Sequence, residues 1–335
     1  MDELNLSIIV PMYNSRDTIE RCLKSIFAQS SEVKFEVIVV DDASTDDSPA
    51  LAKKFPVNLV SLKNNLGAGS ARNRGAREAK GEVLVFVDSD VELEHGSLKR
   101  IENFFKNNPD YAAVVGNYTV LPSAKNICAV YHNFFTVYHH DLSSGDIEWF
   151  WGALSAIRKN IFEQLSGFRE QYPGASAEDI ELGYRLSESG FKIKYLPELR
   201  GAHSRKFGLA NMLYNDYHKS VLGLKLYLKR KPRGKHPHGF SNTINGVNTI
   251  LAPLSLLSLI ALPWLWFLPA ILITLIFFGI NFRFYLFILN HSGFKYFFPS
   301  VFLHWLSFNV IALGVFAGLI GVLLGRGLES RSRWI

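Results

Sequence analysis

Apolar and polar positions in the N-terminal part of the chain follow two alternating periods. Between the apolar runs, residues such as Ile19, Leu23 and Ile26 recur at helical spacing, which predicts helices with one face toward a sheet, the first of them capped by Ser15. The runs themselves are short and rich in β-branched residues, as expected for strands buried on both faces. They lie at 6–10, 35–40, 57–62 and 83–87. This alternation predicts a mostly parallel, right-handed α/β sheet.

The pattern continues less regularly after the fourth strand. Residues 91–105 are predicted as a helix, and 112–120 and 192–196 as strands. The segment 123–146 carries aromatic and histidine residues at helical spacing, which is typical of packing. The alternative is an aromatic wall beside a ligand channel.

The C-terminal part has a different pattern. Residues 236–282 and 296–325 contain no Lys, Arg, Asp or Glu, and each run exceeds the roughly 20 residues that cross a bilayer. We predict an N-terminal α/β domain over 1–207, a basic amphipathic interfacial helix and hinge over 208–235, transmembrane helices over 236–325 and a short Arg-rich tail over 326–335. Three crossings are expected, with two as the alternative, because three leave the tail arginines outside, against the positive-inside trend.

Charge and cysteine content narrow the location. The net charge of +6 is concentrated between 203 and 235, just before the first apolar run, which is the positive-inside signal and faces anionic headgroups. That position argues against nucleic acid as the partner. Two cysteines form no disulfide framework, and the acidic start is no signal peptide. We therefore expect a multi-pass protein of the plasma membrane with a cytoplasmic catalytic domain.

Carboxylates follow the fourth predicted strand directly, at Asp88 and Asp90. Ligand sites in open α/β sheets lie beyond the carboxyl ends of the strands. Carboxylate oxygens suit Mg²⁺ or Mn²⁺, which also take substrate phosphates as ligands. A polar turn at the end of a strand is the alternative for an isolated Asp-x-Asp.

Three earlier motifs fit a nucleotide. Pro11, Tyr13 and Asn14 follow the first strand, and Asp41-Asp42 follows the second, where a ring can stack and carboxylates can accept from a base or ribose. Arg72 and Arg74 lie at the start of a small-residue helix, and guanidinium groups with backbone N–H groups suit a diphosphate. Each motif alone is also typical of ordinary turns and a solvated helix.

In this order the motifs resemble glycosyltransferase family 2, which has the GT-A (Rossmann-like) fold. The resemblance covers residues 5 to about 205 and rests on 9–14, 40–46, 69–75 and 88–90. It implies that Pro11, Tyr13, Asp41 or Asp42 and Arg72 line the nucleotide pocket. It also implies that Asp88 contacts the nucleotide and Asp90 binds a metal that bridges the diphosphate.

Glu178-Asp179 is the candidate catalytic pair. By composition these acids are typical of the first turn of a helix, whereas the resemblance implies that the Asp of this motif deprotonates the acceptor hydroxyl. His203 is a candidate third metal ligand, although a lone His beside a basic loop is also ordinary. Gly152 and Ala153 would permit close approach of substrate, with a tight strand as the alternative.

These residues together predict an inverting glycosyltransferase that moves one sugar from a nucleotide-diphosphate-sugar to a lipid-linked or glycan acceptor at the cytosolic membrane face. No Gln-x-x-Arg-Trp follows Asp179, which favours single transfer over polymer synthesis. The rivals are a polyprenyl-phosphate sugar synthase, in which a lipid phosphate is the nucleophile, and a non-catalytic nucleotide-sugar-binding membrane protein.

Overall fold

A computed structural model describes residues 5–29, 33–171, 177–230, 243–261 and 267–325. Within these ranges the chain forms two compact units. The first takes the residues up to Thr119 and those from Ser143 to Arg205, and the second takes Val120–Leu142 and the residues from Lys206 onward. The segment 120–142, predicted as part of the N-terminal α/β domain, therefore groups with the C-terminal helices.

The first unit is an α/β domain around one nine-stranded sheet. Its strands are β1 (Leu6–Met12), β2 (Phe35–Asp41), β3 (Asn58–Ser61), β4 (Val83–Val87), β5 (Val91–Leu93), β6 (Tyr111–Tyr118), β7 (Asp146–Ile147), β8 (Leu154–Arg158) and β9 (Lys192–His203). Its helices are α1 (Ile19–Phe27), α2 (Ser48–Ala52), α3 (Ala68–Glu78), α4 (Ser97–Asn107), α6 (Lys159–Gln164) and α7 (Glu178–Glu188), with α5 belonging to the second unit.

The sheet order is β3-β2-β1-β4-β8-β6-β9-β5, with β7 paired to β9. The first four strands are parallel, as predicted, because a helix connects each of them to the next and returns the chain to the same edge. From β8 onward the sheet is mixed, since β4 and β6 both pair antiparallel with β8. The carboxyl ends of β1, β2 and β4 meet at one edge, which brings Tyr13, Asp41 and Asp88 to the same side.

Two local predictions were wrong. Residues 91–93 form the short strand β5 against β9, and α4 begins only at Ser97, after a left-handed Gly96. Helix α1 begins at Ile19 with Thr18 at its N-cap and no capping side chain; Ser15 instead accepts the Thr18 and Ile19 N–H groups with its backbone carbonyl. In both places tertiary pairing decides the conformation.

The core of the first unit lies between the sheet and its helices. Ile9, Leu84 and Phe86 are fully buried, and burial of a side chain of this size stabilises the fold by about 1.5–3 kcal/mol. Helix α3 lies directly on β1, because a Cβ built on Gly75 would stand 2.5 Å from Ile9 Cγ2. Glycine is required there by the close approach of helix and strand.

The second unit is helical. It contains α5 (Ile127–Asp141), α8 (Leu209–Arg230), α9 (Thr243–Ala261), α10 (Phe267–Ile280) and α11 (Phe282–Leu323). Helix α11 is interrupted at Gly293, where φ is +62°. Helix α8 packs closely on α11, since a Cβ on Gly314 would lie 2.5 Å from the Tyr217 carbonyl oxygen.

Within the described residues, α11 alone is long and apolar enough to cross a membrane. Its part after Gly293 exceeds the roughly 20 residues that a bilayer requires. Other parts of the predicted membrane region lie outside the described residues. They are residues 231–242, which include the end of the predicted interfacial helix and hinge, residues 262–266 within the predicted transmembrane helices, and the tail at 326–335.

Candidate active site

Asp42 closes the turn that leads into α3. Its carboxylate accepts the Leu66 N–H at 2.7 Å and the Gly67 N–H at 2.8 Å, and the side chain is buried. The predicted nucleoside contact would have to use the same oxygens. Of the two candidate nucleoside contacts, Asp41 and Asp42, the Asp42 carboxylate is therefore already bound to backbone N–H groups.

Asn14 joins the loops after β1 and β2, and Asp41 stabilises the second of these loops from within. Asp41 Oδ1 accepts the Ser44 N–H at 3.0 Å, and Asn14 Oδ1 accepts the Thr45 N–H at 2.8 Å. Asn14 adopts a left-handed φ of +48°, which asparagine tolerates better than most residues. The bond to Asn14 holds the loops after β1 and β2 together.

Tyr13 is a predicted nucleotide residue whose ring faces solvent. Pro11 is buried within β1, whereas Tyr13, just beyond the strand, is 47% exposed. An exposed ring at the carboxyl edge of a parallel sheet can stack on a base. The loop that carries it is tied to the Asp-x-Asp turn by Ser15 Oγ, 2.8 Å from Ser89 Oγ.

Arg72 points into the protein. One terminal guanidinium nitrogen donates to Asp88 Oδ1 at 2.7 Å and the other to Glu178 Oε1 at 2.9 Å. The side chain is only 2% exposed. The predicted contact with a diphosphate thus competes with two short ion pairs. Arg74 pairs with Glu78 at 2.7 Å on a partly exposed face of α3 and does not join this group.

Asp90 and His203 face each other across β5 and β9. Val91 pairs with His203 in the sheet, which places the His203 Nε2 atom 3.6 Å from Asp90 Oδ2. The His203 ring stacks on Tyr118, with centroids 4.6 Å apart and planes 17° from parallel. Of the three predicted metal ligands, Asp90 and His203 are therefore adjacent, while Asp88 shares one oxygen with Arg72.

The two carboxylates of the Asp-x-Asp differ in their electrostatics. Burial raises the pKa of Asp88 above its ordinary value, against the opposing Arg72 guanidinium, and Asp90 adds to the rise. Burial also acts to raise the pKa of Asp90, but the neighbouring His203 and Arg205 outweigh it and hold this pKa below its ordinary value. Asp90 is thus the member held ionised and ready to bind a cation.

The donor atoms present fit a divalent cation that has few protein ligands. Two atoms bound to one ion at about 2.1 Å lie roughly 3–4 Å apart, and the 3.6 Å between Asp90 and His203 falls in that range. Within the described ranges, no three His, Cys, Asp or Glu side chains converge closely enough to hold a metal. The remaining ligands would have to come from a diphosphate and water, the usual arrangement for Mg²⁺.

Asp179 lies in the first turn of α7, beside Gly152. Its Oδ2 accepts the Gly152 N–H at 3.1 Å. Burial, and then the adjacent Glu178 carboxylate, raises the pKa of Asp179 to about 6, although Gly152 N–H and Arg72 oppose the rise. A carboxylate tuned to this range is suited to general-base work near neutral pH. Glu178 is buried and bound by Arg72.

Two residues that the sequence analysis did not single out complete the site. Tyr118 carries the His203 ring and also contacts Trp151 edge-on, with centroids 4.6 Å apart. The Asn73 amide donates to the Phe168 carbonyl at 2.7 Å and accepts the Phe168 N–H at 2.8 Å. Asn73 adjoins a predicted site residue, which is a usable signal; Tyr118 gives none, because its role depends on pairing between distant strands.

Comparison with known proteins places this domain. Residues 7–166 match the model described as "Glycosyl transferase family 2", and residues 132–215 match "N-terminal domain of galactosyltransferase". The probable glycosyltransferase YdaM of Bacillus subtilis is 29% identical over 214 residues, which is 59% of this chain and 50% of the relative. Dolichol-phosphate mannosyltransferase of Pyrococcus furiosus is 28% identical over 206 residues, 60% of this chain and 54% of the relative.

Among solved structures, the mannosyltransferase PcManGT from Pyrobaculum calidifontis, in complex with GDP-Man and Mn²⁺, aligns with a TM-score of 0.57 at 20% identity. The alignment covers 97% of this chain and 89% of that one. At this identity the likeness defines the fold, which is that of the GT-A nucleotide-sugar transferases. The N-terminal domain of this chain is similar to glycosyltransferase family 2 over residues 7–166. The chain spans about half the length of the curated relatives YdaM and dolichol-phosphate mannosyltransferase.

Proposed function

We propose that this protein is a metal-dependent, inverting glycosyltransferase that moves one sugar from a nucleotide-diphosphate-sugar to a lipid-linked or glycan acceptor at a membrane. The observation that carries the proposal is a continuous chain of contacts. Arg72 binds both Asp88 and Glu178, and Asp179 adjoins Glu178. A nucleotide-side carboxylate and a candidate base thereby belong to one site.

Each side chain has a distinct role in this proposal. Tyr13 would stack on the nucleobase, and the loops held by Asn14 and Asp41 would form the nucleoside pocket. Asp179 would accept the proton of an acceptor hydroxyl as its oxygen attacks the anomeric carbon on the face opposite the diphosphate. A single displacement of this kind inverts that carbon. Asp179 is half-buried, which limits the access of water that would compete as a nucleophile.

Asp90 and His203 would hold Mg²⁺ or Mn²⁺. When bound, such an ion neutralises the charge that develops on the leaving diphosphate. The choice between the two ions is open, although an imidazole beside a carboxylate is compatible with Mn²⁺. That GDP-Man and Mn²⁺ accompany the related fold in PcManGT supports a divalent ion here.

A second candidate is a polyprenyl-phosphate sugar synthase. The similarity to dolichol-phosphate mannosyltransferase over 60% of this chain favours it. A phosphate nucleophile is already ionised and needs no base. In that case Asp179 would orient the acceptor and would not take a proton.

Helix α11 supports the membrane part of the proposal. Phe294, Phe298, Phe302 and Leu313 expose apolar surface along it, and such a surface suits lipid. Helix α8 presents Tyr214, Tyr227 and Leu228 to solvent, consistent with the interfacial helix predicted from the sequence. A plasma-membrane location with a cytoplasmic catalytic domain and more than one crossing stays a prediction.

The decisive experiment is a donor screen. Purified full-length protein would be incubated with UDP- and GDP-sugars and membrane lipid extract, with and without Mn²⁺, and release of UDP or GDP would be measured. We expect Mn²⁺-dependent release from at least one donor, lost in Asp90→Asn. No release from any donor with any extract would favour a non-catalytic nucleotide-sugar-binding protein.

Asp179→Asn separates the two enzymatic candidates. With a hydroxyl acceptor, turnover should fall by roughly 10²–10⁴-fold, the range typical of a lost general base. With a polyprenyl phosphate acceptor it should fall far less. Once the acceptor of the wild-type protein is known, the size of the loss in Asp179→Asn shows whether Asp179 acts as a base.

A further inference from the structure

We infer that Arg72 is a positioning residue, which fixes the catalytic carboxylate Asp179 relative to Asp88 through Glu178, and not a ligand of the donor's diphosphate. This inference rests on the proposed function, because it takes Asp179 as the base. In this arrangement Arg72 holds Glu178, and Glu178 in turn restrains the adjacent Asp179 in α7.

The first support is the way in which Arg72 is used. Both terminal nitrogens are occupied, one by Asp88 and one by Glu178, at 2.7 and 2.9 Å. The side chain is 2% exposed and Glu178 is 3% exposed. A buried ion pair of this kind is strongly destabilised when one partner is removed, so a phosphate could engage Arg72 only by breaking an existing contact.

The second support is the surface on which Arg72 rests. A Cβ on Gly152 would lie 2.6 Å from Arg72 Cζ and 2.8 Å from both terminal nitrogens. The Gly152 N–H is also the donor to Asp179 Oδ2. The guanidinium group therefore lies against Gly152, whose N–H orients Asp179. Arg72 can thus influence the position of Asp179 both through Gly152 and through Glu178.

The third support is the rest of α3. Asn73 binds the backbone of Phe168 at both its N–H and its carbonyl and reaches Glu170 at 2.9 Å. A Cβ on Gly69 would stand 3.3 Å from Glu178 Cγ. Two consecutive residues of α3 therefore contact different parts of the chain: Asn73 binds Phe168 and Glu170, and Arg72 binds Glu178 at the start of α7. A helix that is expected from the sequence to bind phosphate instead braces the segment that carries the base.

The test compares turnover with nucleotide binding in Arg72→Lys. Lysine keeps the charge but cannot reach both carboxylates with fixed geometry. Binding of UDP and of GDP, each with Mn²⁺, would be measured by calorimetry, and turnover with the donor identified by the screen. We expect kcat to fall about a hundredfold, the effect of a small misplacement at a reacting centre. Nucleotide affinity should change less than about threefold, which is the signature of an interaction made in the transition state.

Glu178→Gln provides a second variant in case Arg72→Lys fails to fold. The amide keeps the shape and one accepting oxygen but loses the charge. We expect kcat to fall about tenfold with unchanged nucleotide affinity, because the ion pair with Arg72 becomes a weaker hydrogen bond that positions Asp179 less firmly. Added guanidinium should restore part of the kcat of Arg72→Ala. Arg77→Lys, on an exposed turn of the same helix, is the matched control and should match the wild type.

Two outcomes would overturn the inference. One is a loss of nucleotide affinity in Arg72→Lys that parallels the loss of turnover, since a phosphate ligand would behave in that way. The other is wild-type kcat in both variants. If instead the wild-type protein neither binds UDP or GDP with Mn²⁺ nor releases them from any donor, the proposed function itself fails.

Discussion

The imidazole of His203 lies face to face with the ring of Tyr118 and directs Nε2 to within 3.6 Å of Asp90 Oδ2. The stacked ring restrains the imidazole, because rotation would break the contact. His203→Ala should therefore weaken Mn²⁺-dependent binding of UDP or GDP by more than about tenfold, the usual effect of a lost metal contact. Calorimetry with Mn²⁺ and each nucleotide measures it. His95→Ala, at an exposed position, is the control, and equal binding in both variants would contradict a ligand role.

Tyr118→Phe tests whether stacking or the hydroxyl matters. The Phe variant keeps the ring, so Mn²⁺-dependent nucleotide binding should stay within about twofold of the wild type. Tyr118→Leu removes the ring and should weaken this binding severalfold, because aromatic pairs contribute about 0.5–1.5 kcal/mol beyond burial. The same calorimetric titration serves both variants. An equal loss in the two would indicate that the phenol itself acts.

Asp179→Asn should stabilise the protein while removing activity toward a hydroxyl acceptor. Its pKa is raised to about 6, so the ionised form is less stable in the folded state. That penalty is absent at low pH, accrues as pH rises toward 6 and is complete above it. At pH 7.5 the substitution should gain about 1–2 kcal/mol after one accepted hydrogen bond is lost. Thermal unfolding at pH 7.5 and pH 4 measures this, and a gain at pH 4 alone would be inconsistent with it.

The same pKa sets the pH dependence of turnover. A carboxylate base works only when ionised, so kcat with a hydroxyl acceptor should fall about tenfold per pH unit below about 6. It should reach a plateau above this value. Nucleotide binding with Mn²⁺ over the same range is the control, because it separates the base from the metal site. A flat kcat between pH 5 and 7 would contradict the role of Asp179 as the base.

Gly183 is the point at which α7 meets the segment before β8. A Cβ there would lie 2.2 Å from Phe150 N and 2.6 Å from Trp149 C. Gly183 is four residues after Asp179 and so on the same face of α7. Gly183→Ala should lower stability by about 1–3 kcal/mol and lower kcat as the base moves. Gly223→Ala, which meets nothing within 4 Å, is the control and should lower neither.

Asp42→Ala should cost stability more than nucleotide affinity. It leaves the Leu66 and Gly67 N–H groups without their acceptor, and the buried Gly67 N–H alone costs about 1–3 kcal/mol. Thermal unfolding measures the stability, and titration with UDP and GDP in the presence of Mn²⁺ measures the affinity. We expect the unfolding midpoint to fall while the affinity changes little. The exposed Asp47→Ala is the comparison, and a large loss of affinity with an unchanged midpoint would restore a nucleoside contact to Asp42.

The strand 83–87 and the position of its two carboxylates followed from hydrophobic pattern alone, because a strand buried on both faces leaves a continuous apolar run. The ion-pair partners of Arg72 could not be predicted from the hydrophobic pattern. A helical period identifies the face that meets the sheet but not a partner such as Glu178, which lies 106 positions away. Residues 91–93 were similarly ambiguous, since their strand exists only by pairing with β9. The sequence thus locates the edge of the site better than the direction of each side chain.

The contact of Gly75 with Ile9 constrains how this domain can diversify. Helix α3 cannot accept a larger residue at this position unless the helix or the first strand shifts. Arg72 and Asn73 are also engaged inside the protein. Substitutions that alter the preferred donor should therefore accumulate at exposed positions such as Tyr13, and a mutant library directed at donor choice should leave the buried face of α3 untouched.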